Sequence, residues 1–171
     1  MMSDYKMKKG HIQEGKRIEF TADEIISTLE PIKLKQTIYL AHPFDRRFSK
    51  RKEMIAKKLE ERDFLVIDPF VGEDTLCEKY GVKNYYENPC KDFAMDIKNR
   101  DFMHVALCDC FFAWIPKGVT IIGTMREFDF ALEHSKYTIV LTYKPSPFLE
   151  DADELYIDYN AFLNDEQFIW M

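Results

Sequence analysis

Cys110-Phe111-Phe112-Ala113-Trp114-Ile115, ended by Pro116-Lys117-Gly118, leads into Gly123-Thr124-Met125-Arg126-Glu127-Phe128-Asp129-Phe130-Ala131-Leu132 and then Tyr137-Thr138-Ile139-Val140-Leu141. Two apolar runs enclosing an amphipathic segment read as buried strand, helix and buried strand. This arrangement places Glu127 in the first turn of the helix, above the carboxyl end of a parallel strand. Open α/β sheets hold their ligands at that edge. A carboxylate there, behind a Gly-Thr turn, is a candidate nucleophile or base. The plainer alternative is that Glu127 only complements the helix dipole.

The same alternation extends toward the amino end. Thr37-Ile38-Tyr39-Leu40-Ala41 reads as a strand followed by His42-Pro43-Phe44. A helix is expected over 49–62, with Met54, Ile55 and Leu59 at helical spacing. Phe64-Leu65-Val66-Ile67 reads as a second strand ended by Asp68-Pro69-Phe70, and 71–89 as an irregular stretch containing Tyr85 and Tyr86. A helix over 90–105 turns Phe93, Ile97 and Met103 inward, the helix after Gly123 runs to about Ser135, and strands follow at 137–142 and near Leu155–Tyr159. Strands alternating with helices predict a doubly wound parallel sheet of flavodoxin or Rossmann type, with helices on both faces. Residues 1–36 form a charged amino-terminal extension to a single domain at 37–171. In that extension Thr21-x-x-Glu24 signals a capping box for a short helix through Ile25, Ile26 and Leu29.

Bulk properties narrow the function. The 171 residues are 46% hydrophobic and 15% aromatic, enough for a folded core. A net charge of −6 argues against a protein that coats a nucleic-acid polymer. No apolar run reaches the roughly 20 residues of a membrane helix, and no signal-peptide core is visible, so a cytoplasmic protein is expected. Cys77, Cys90, Cys108 and Cys110 lack paired C-x-x-C spacing. They read as free thiols, with Cys108 and Cys110 on one face of a strand. His104 and His134 have no second ligand at i+4, so no metal is expected. The absence of G-x-x-x-x-G-K-[ST] and G-x-G-x-x-G turns speaks against triphosphate and dinucleotide enzymes of those types.

Four blocks in order carry a family resemblance: Ile38-Tyr39-Leu40-Ala41-His42-Pro43-Phe44, Asp68-Pro69-Phe70, Asp101 with Asp109 before the apolar strand, and Gly123-Thr124-x-x-Glu127 with Ala131. Over about residues 37–142 the chain resembles the nucleoside 2-deoxyribosyltransferases and the related deoxynucleoside 5′-monophosphate N-hydrolases. The resemblance implies Glu127 as a nucleophile at the sugar C1′ and Tyr39 as the group that orients it. Asp101 would contact the sugar or base edge and aid proton transfer. It further implies a substrate-binding set of His42, Phe44, Asp68, Phe70, Gly123 and Thr124, no cofactor, a small nucleoside or nucleotide as partner, and a homo-oligomer.

The chain also departs from the family pattern. His42 stands where the family has glycine. Ile121, six residues before Glu127, replaces the aspartate of the transferases and the serine of the hydrolases, so the usual distinction between 5′-hydroxyl and 5′-phosphate is missing. These departures motivate a second expectation, a nucleotide-binding module without turnover. The basic run Arg46, Arg47, Lys50, Arg51, Lys52 is a candidate anion-facing patch. Met54, Met95, Met103 and Met125 read as core filler.

Overall fold

The structure, a computed structural model, describes residues 35–43, 46–83 and 90–165. Five strands form one parallel sheet: β1 (Thr37–Ala41), β2 (Leu65–Ile67), β3 (Cys110–Ile115), β4 (Tyr137–Thr142) and β5 (Glu154–Tyr156). Their order is β2-β1-β3-β4-β5. The helices between them are α1 (Ser49–Glu61), α2 (Glu73–Tyr80), α3 (Lys91–Leu107), α4 (Ile122–Glu133) and α5 (Tyr159–Asn164). This is the doubly wound sheet that the alternating pattern predicts. The expected helix near Thr21 and the residues Phe44, Tyr85 and Tyr86 lie outside the described residues.

The three central strands are predominantly apolar because helices cover both of their faces. Every residue of β3 is buried. Side-chain alternation divides the core in two. Ile38, Leu40, Phe112, Trp114, Ile139 and Leu141 face Ile55 and Leu59 of α1 and Phe162 of α5. Tyr39, Ala41, Phe111, Ala113 and Val140 face Val105 of α3 and Phe128 and Ala131 of α4. The edge strands β2 and β5 are short and partly exposed.

Two matching clasps hold the amino ends of neighbouring strands. The Asp109 carboxylate accepts from the backbone N–H of Thr37 at 2.7 Å and from its hydroxyl at 2.9 Å. Asp153 repeats the arrangement on Thr138, at 2.7 and 3.0 Å. Each threonine hydroxyl in turn accepts from the aspartate backbone N–H. These bonds satisfy groups that the strand ladder leaves open. Asp109 is therefore a structural residue.

Several details differ from the sequence expectation. Residues 73–80 are helical, not irregular. Gly72 (φ 84°) and Gly81 (φ 64°) bound α2 in left-handed conformations, so the glycines that suggest a loop are its end signals. Cys108 and Cys110 do not share a face: Cys108 caps α3 and packs on the α3–α4 side, while Cys110 points to the other side. Both are free and buried, which pushes their thiols up to about 11 and about 12. Met54, Met95 and Met103 are 43%, 51% and 55% exposed and do not fill the core. Helical spacing fits several neighbouring positions, and Ile55 and Val105 take the inward ones. The last strand stops at Tyr156, and Asp158 caps α5 by accepting from the Ala161 N–H at 2.8 Å.

Phe112 is fully buried on the central strand, in contact with Phe162 at a ring distance of 5.0 Å. Phe112→Ala is expected to lower unfolding free energy by about 3–5 kcal/mol, against at most about 0.5 kcal/mol for Met54→Ala, both read from urea denaturation. Equal losses at the two positions would contradict this core assignment.

Candidate active site

The chain runs from β1 outward to β2 and then returns to the other side of β1 as β3. The carboxyl ends of β1 and β3 therefore form a switch point, where the connections diverge and leave a crevice. A cavity of about 550 Å³ opens there. His42, Pro43 and Phe70 follow β1 and β2 on one side, and the turn 118–121 with the start of α4 forms the other. Asp101 from α3 and Glu127 from α4 also line it.

Glu127 belongs to the second turn of α4, since the helix begins at Ile122 rather than at Thr124. That corrects the expected first-turn placement and removes the helix-dipole explanation, because the dipole effect fades beyond the first turn. Its carboxylate touches the cavity on one side and protein on the others. Tyr39, fully buried in β1, donates its hydroxyl to Glu127 Oε1 at 3.2 Å. Burial is the main cause that pushes the Glu127 carboxyl up to about 7, and the Asp101 charge adds to it. The Tyr39 hydrogen bond and Arg100 work in the opposite direction. Burial and the facing carboxylates push the Tyr39 phenol far above its usual range, so it remains a donor.

Asp101 is held by its neighbour. Arg100 donates to Asp101 Oδ1 from Nε at 3.0 Å and from Nη2 at 2.8 Å. Burial raises the Asp101 carboxyl and the Arg100 contact offsets part of the rise. Tyr39, Asp101 and Glu127, from three separate elements, thus form one cluster.

The structure separates the other sequence candidates. Gly123 and Thr124 line the cavity, Thr124 buried and Gly123 exposed. A Cβ at Gly123 would meet no atom within 4 Å, so packing does not demand glycine there. His42 and Phe70 also line the cavity, with their rings 5.0 Å apart. Asp68 is not among the cavity-lining residues. Its carboxylate lies 3.2 Å from His42 Nε2 and accepts from Lys52 Nζ at 2.7 Å and from the Phe70 N–H at 2.9 Å. Burial works against its charge, but these three contacts outweigh it and hold the carboxyl well below the usual range. Asp68 therefore anchors the turn that carries Phe70, and Lys52 of the basic run is spent on that anchor.

Three further residues line the cavity, of which the sequence points only to Arg47, as part of the candidate anion-facing patch. Arg47 stands in the basic run, Glu73 begins α2, and Arg100 precedes Asp101. Burial raises the Glu73 carboxyl, with Arg100 opposing. Among the described residues no cluster of three or more His, Cys, Asp or Glu could hold a metal ion, and no helix is long and apolar enough to cross a membrane.

No protein-family model matches the chain, and no curated protein matches it. Solved structures do. The 2-deoxyribosyltransferase of the bacterium Bacillus psychrosaccharolyticus superimposes with a TM-score of 0.58 at 17% identity, over 77% of this chain and 93% of that one. The CMP N-glycosidase of Clostridium botulinum gives 0.49 at 18%, over 75% and 95%. The 2-deoxyribosyltransferase of Leishmania mexicana gives 0.45 at 18%, over 79% and 89%. The last two scores are too low to carry an argument. The first establishes a shared doubly wound α/β fold.

The raised Glu127 carboxyl has a consequence for stability. Unfolded, it titrates near the ordinary 4.5, and in the native protein near 7. The native state thus loses stability as pH rises from about 4.5 to about 7, by about 3 kcal/mol in all. Glu127→Gln keeps an oxygen acceptor for Tyr39 without the charge. Its unfolding free energy should exceed wild type at pH 8 by up to that amount, with little gain at pH 4.5. A gain that does not vary with pH would contradict the desolvated carboxylate.

Proposed function

We propose that this protein cleaves the N-glycosidic bond of (2′-deoxy)nucleosides through a covalent glycosyl-enzyme on Glu127 and passes the deoxyribosyl group to a second base. The observation that carries the proposal is the carboxylate of Glu127 lining the cavity, desolvated, hydrogen-bonded by Tyr39 and acted on by the Asp101 charge. The shared fold and the Gly123-Thr124-x-x-Glu127 block support it.

Departure of the base takes the C1′–N bonding pair with it and leaves positive charge on C1′. An oxygen of Glu127 forms the new bond to C1′ while Tyr39 holds Oε1. Asp101 gives a proton to the departing nitrogen. In the second half an acceptor base attacks C1′, Asp101 takes the proton its nitrogen loses, and the Glu127 carboxylate is released. Two displacements at one carbon retain its configuration.

A second reading, hydrolysis of a nucleoside 5′-monophosphate, is favoured by the amino end of α4. Ile121 offers no side-chain cap there, so the first-turn amides have no intrahelical acceptor and suit an anion. Arg47 and Arg100 line the same cavity. Water would then replace the acceptor base. In either case we propose a protein of the cytoplasm acting as a homo-oligomer.

The test is to incubate the protein with each deoxynucleoside and deoxynucleoside monophosphate, with and without a free acceptor base, and to separate the products. New nucleoside formed only with acceptor supports transfer, and free base without acceptor supports hydrolysis. Glu127→Ala should lower turnover at least about a thousandfold, and Tyr39→Phe about 10- to 100-fold through loss of a hydrogen bond to a charged group. Because Glu127 attacks in its ionised form, kcat/KM should rise with pH through about 7. Ligand-induced stabilisation without base release would instead indicate a binding module.

A further inference from the structure

Arg100 and Asp101 are adjacent in sequence, and adjacent helix positions point their side chains about 100° apart around the axis. Yet both turn to the same cavity, and both are only 14% exposed. The guanidinium uses Nε and Nη2 on a single oxygen, Asp101 Oδ1, at 3.0 and 2.8 Å. Its Nη1 is buried with no hydrogen-bond partner among the described residues. Asp101 Oδ2 has no hydrogen-bond partner among the described residues, and the second carboxylate of the cluster, Glu127, is tied to Tyr39.

Burial is the main cause that raises the Glu127 carboxyl, the Asp101 charge adds to it, and the Arg100 charge opposes it. The groups around these two carboxylates come from β1, α2 and α3 itself. Tyr39 of β1 hydrogen-bonds Glu127, Arg100 and His104 of α3 act on Asp101, and Asp101 in turn acts on Glu73 of α2. Arg100 is the cation that hydrogen-bonds Asp101. It cannot lose its charge, and His104 is disfavoured as a cation by its burial and by Arg100.

We propose that Arg100 is a positioning residue that acts through Asp101. Its forked hold on one oxygen fixes Asp101 in the cavity with the other oxygen free for substrate, and its charge limits the repulsion that Glu127 feels on ionising. This rests on the reading of Glu127 as the attacking group. Without Arg100, its charge no longer opposes that of Asp101 at Glu127, so Glu127 ionises at higher pH and the fraction ready to attack at neutral pH falls.

The experiment reads Glu127 ionisation without needing turnover. Melting temperature is followed from pH 5 to 9 for wild type, Glu127→Gln, Arg100→Gln and the double variant. The gap between a protein and its Glu127→Gln partner widens with pH and levels off where native Glu127 is ionised. It should level off near pH 7 in wild type and about one pH unit higher when Arg100 is Gln. Arg100→Lys, which keeps the charge but loses the fork, should level off close to wild type, yet lower kcat more than it raises KM. If Arg100→Gln does not fold, Asp101→Asn takes its place and should move the levelling point below wild type. An unchanged levelling point in Arg100→Gln, or in Asp101→Asn when that variant carries the test, overturns the proposal. Failure to release base, with the levelling points shifted as expected, overturns the nucleophile reading and leaves the role of Arg100 standing.

Discussion

The site depends on a carboxylate that water cannot fully solvate. Glu127 accepts one hydrogen bond from a buried phenol and faces a second carboxylate. A folded protein gains no stability from such an arrangement. The rest of the core has to support it, through the buried apolar residues of β1, β3 and β4 and the aromatic contacts of Phe111, Phe112 and Phe128. Strained or desolvated groups persist where surrounding structure over-determines them, and they cluster at functional sites.

The sheet supplies that over-determination. Tyr39 is fixed by its place in β1, between α3 and α4, with its ring stacked on Phe111 at 5.9 Å. Its hydroxyl meets Glu127 in the second turn of α4. The Asp109–Thr37 clasp fixes the strands from the opposite end. The turn after β2 is held by Asp68 through three contacts, which positions Phe70 and the start of α2 along the cavity wall. Residues that look like ligand contacts in sequence can thus serve the site at one remove.

What was legible in the sequence follows from this division. Strands buried on both faces show as plain apolar runs, so β1, β3 and β4 are readable to within a residue. Glu127, Asp101 and Tyr39 are visible as blocks at recognisable intervals. Arg100 and Glu73 are not, because their value comes from tertiary placement. Arg100 matters only once its side chain is seen to turn toward that of Asp101. Glu73 sits on a short helix with little apolar periodicity, bounded by glycines that resemble loop punctuation. The methionines at 54, 95 and 103 fit helical spacing as well as the true core residues do, and only packing separates them.

The central claim is that Glu127 becomes covalently joined to the sugar. The most direct measurement is peptide mass spectrometry after the protein is mixed with a deoxynucleoside and quenched in acid. The peptide containing Glu127 should carry one added deoxyribosyl group, and Glu127→Gln should carry none. Base released in full with that peptide unmodified at every quench time would contradict the account.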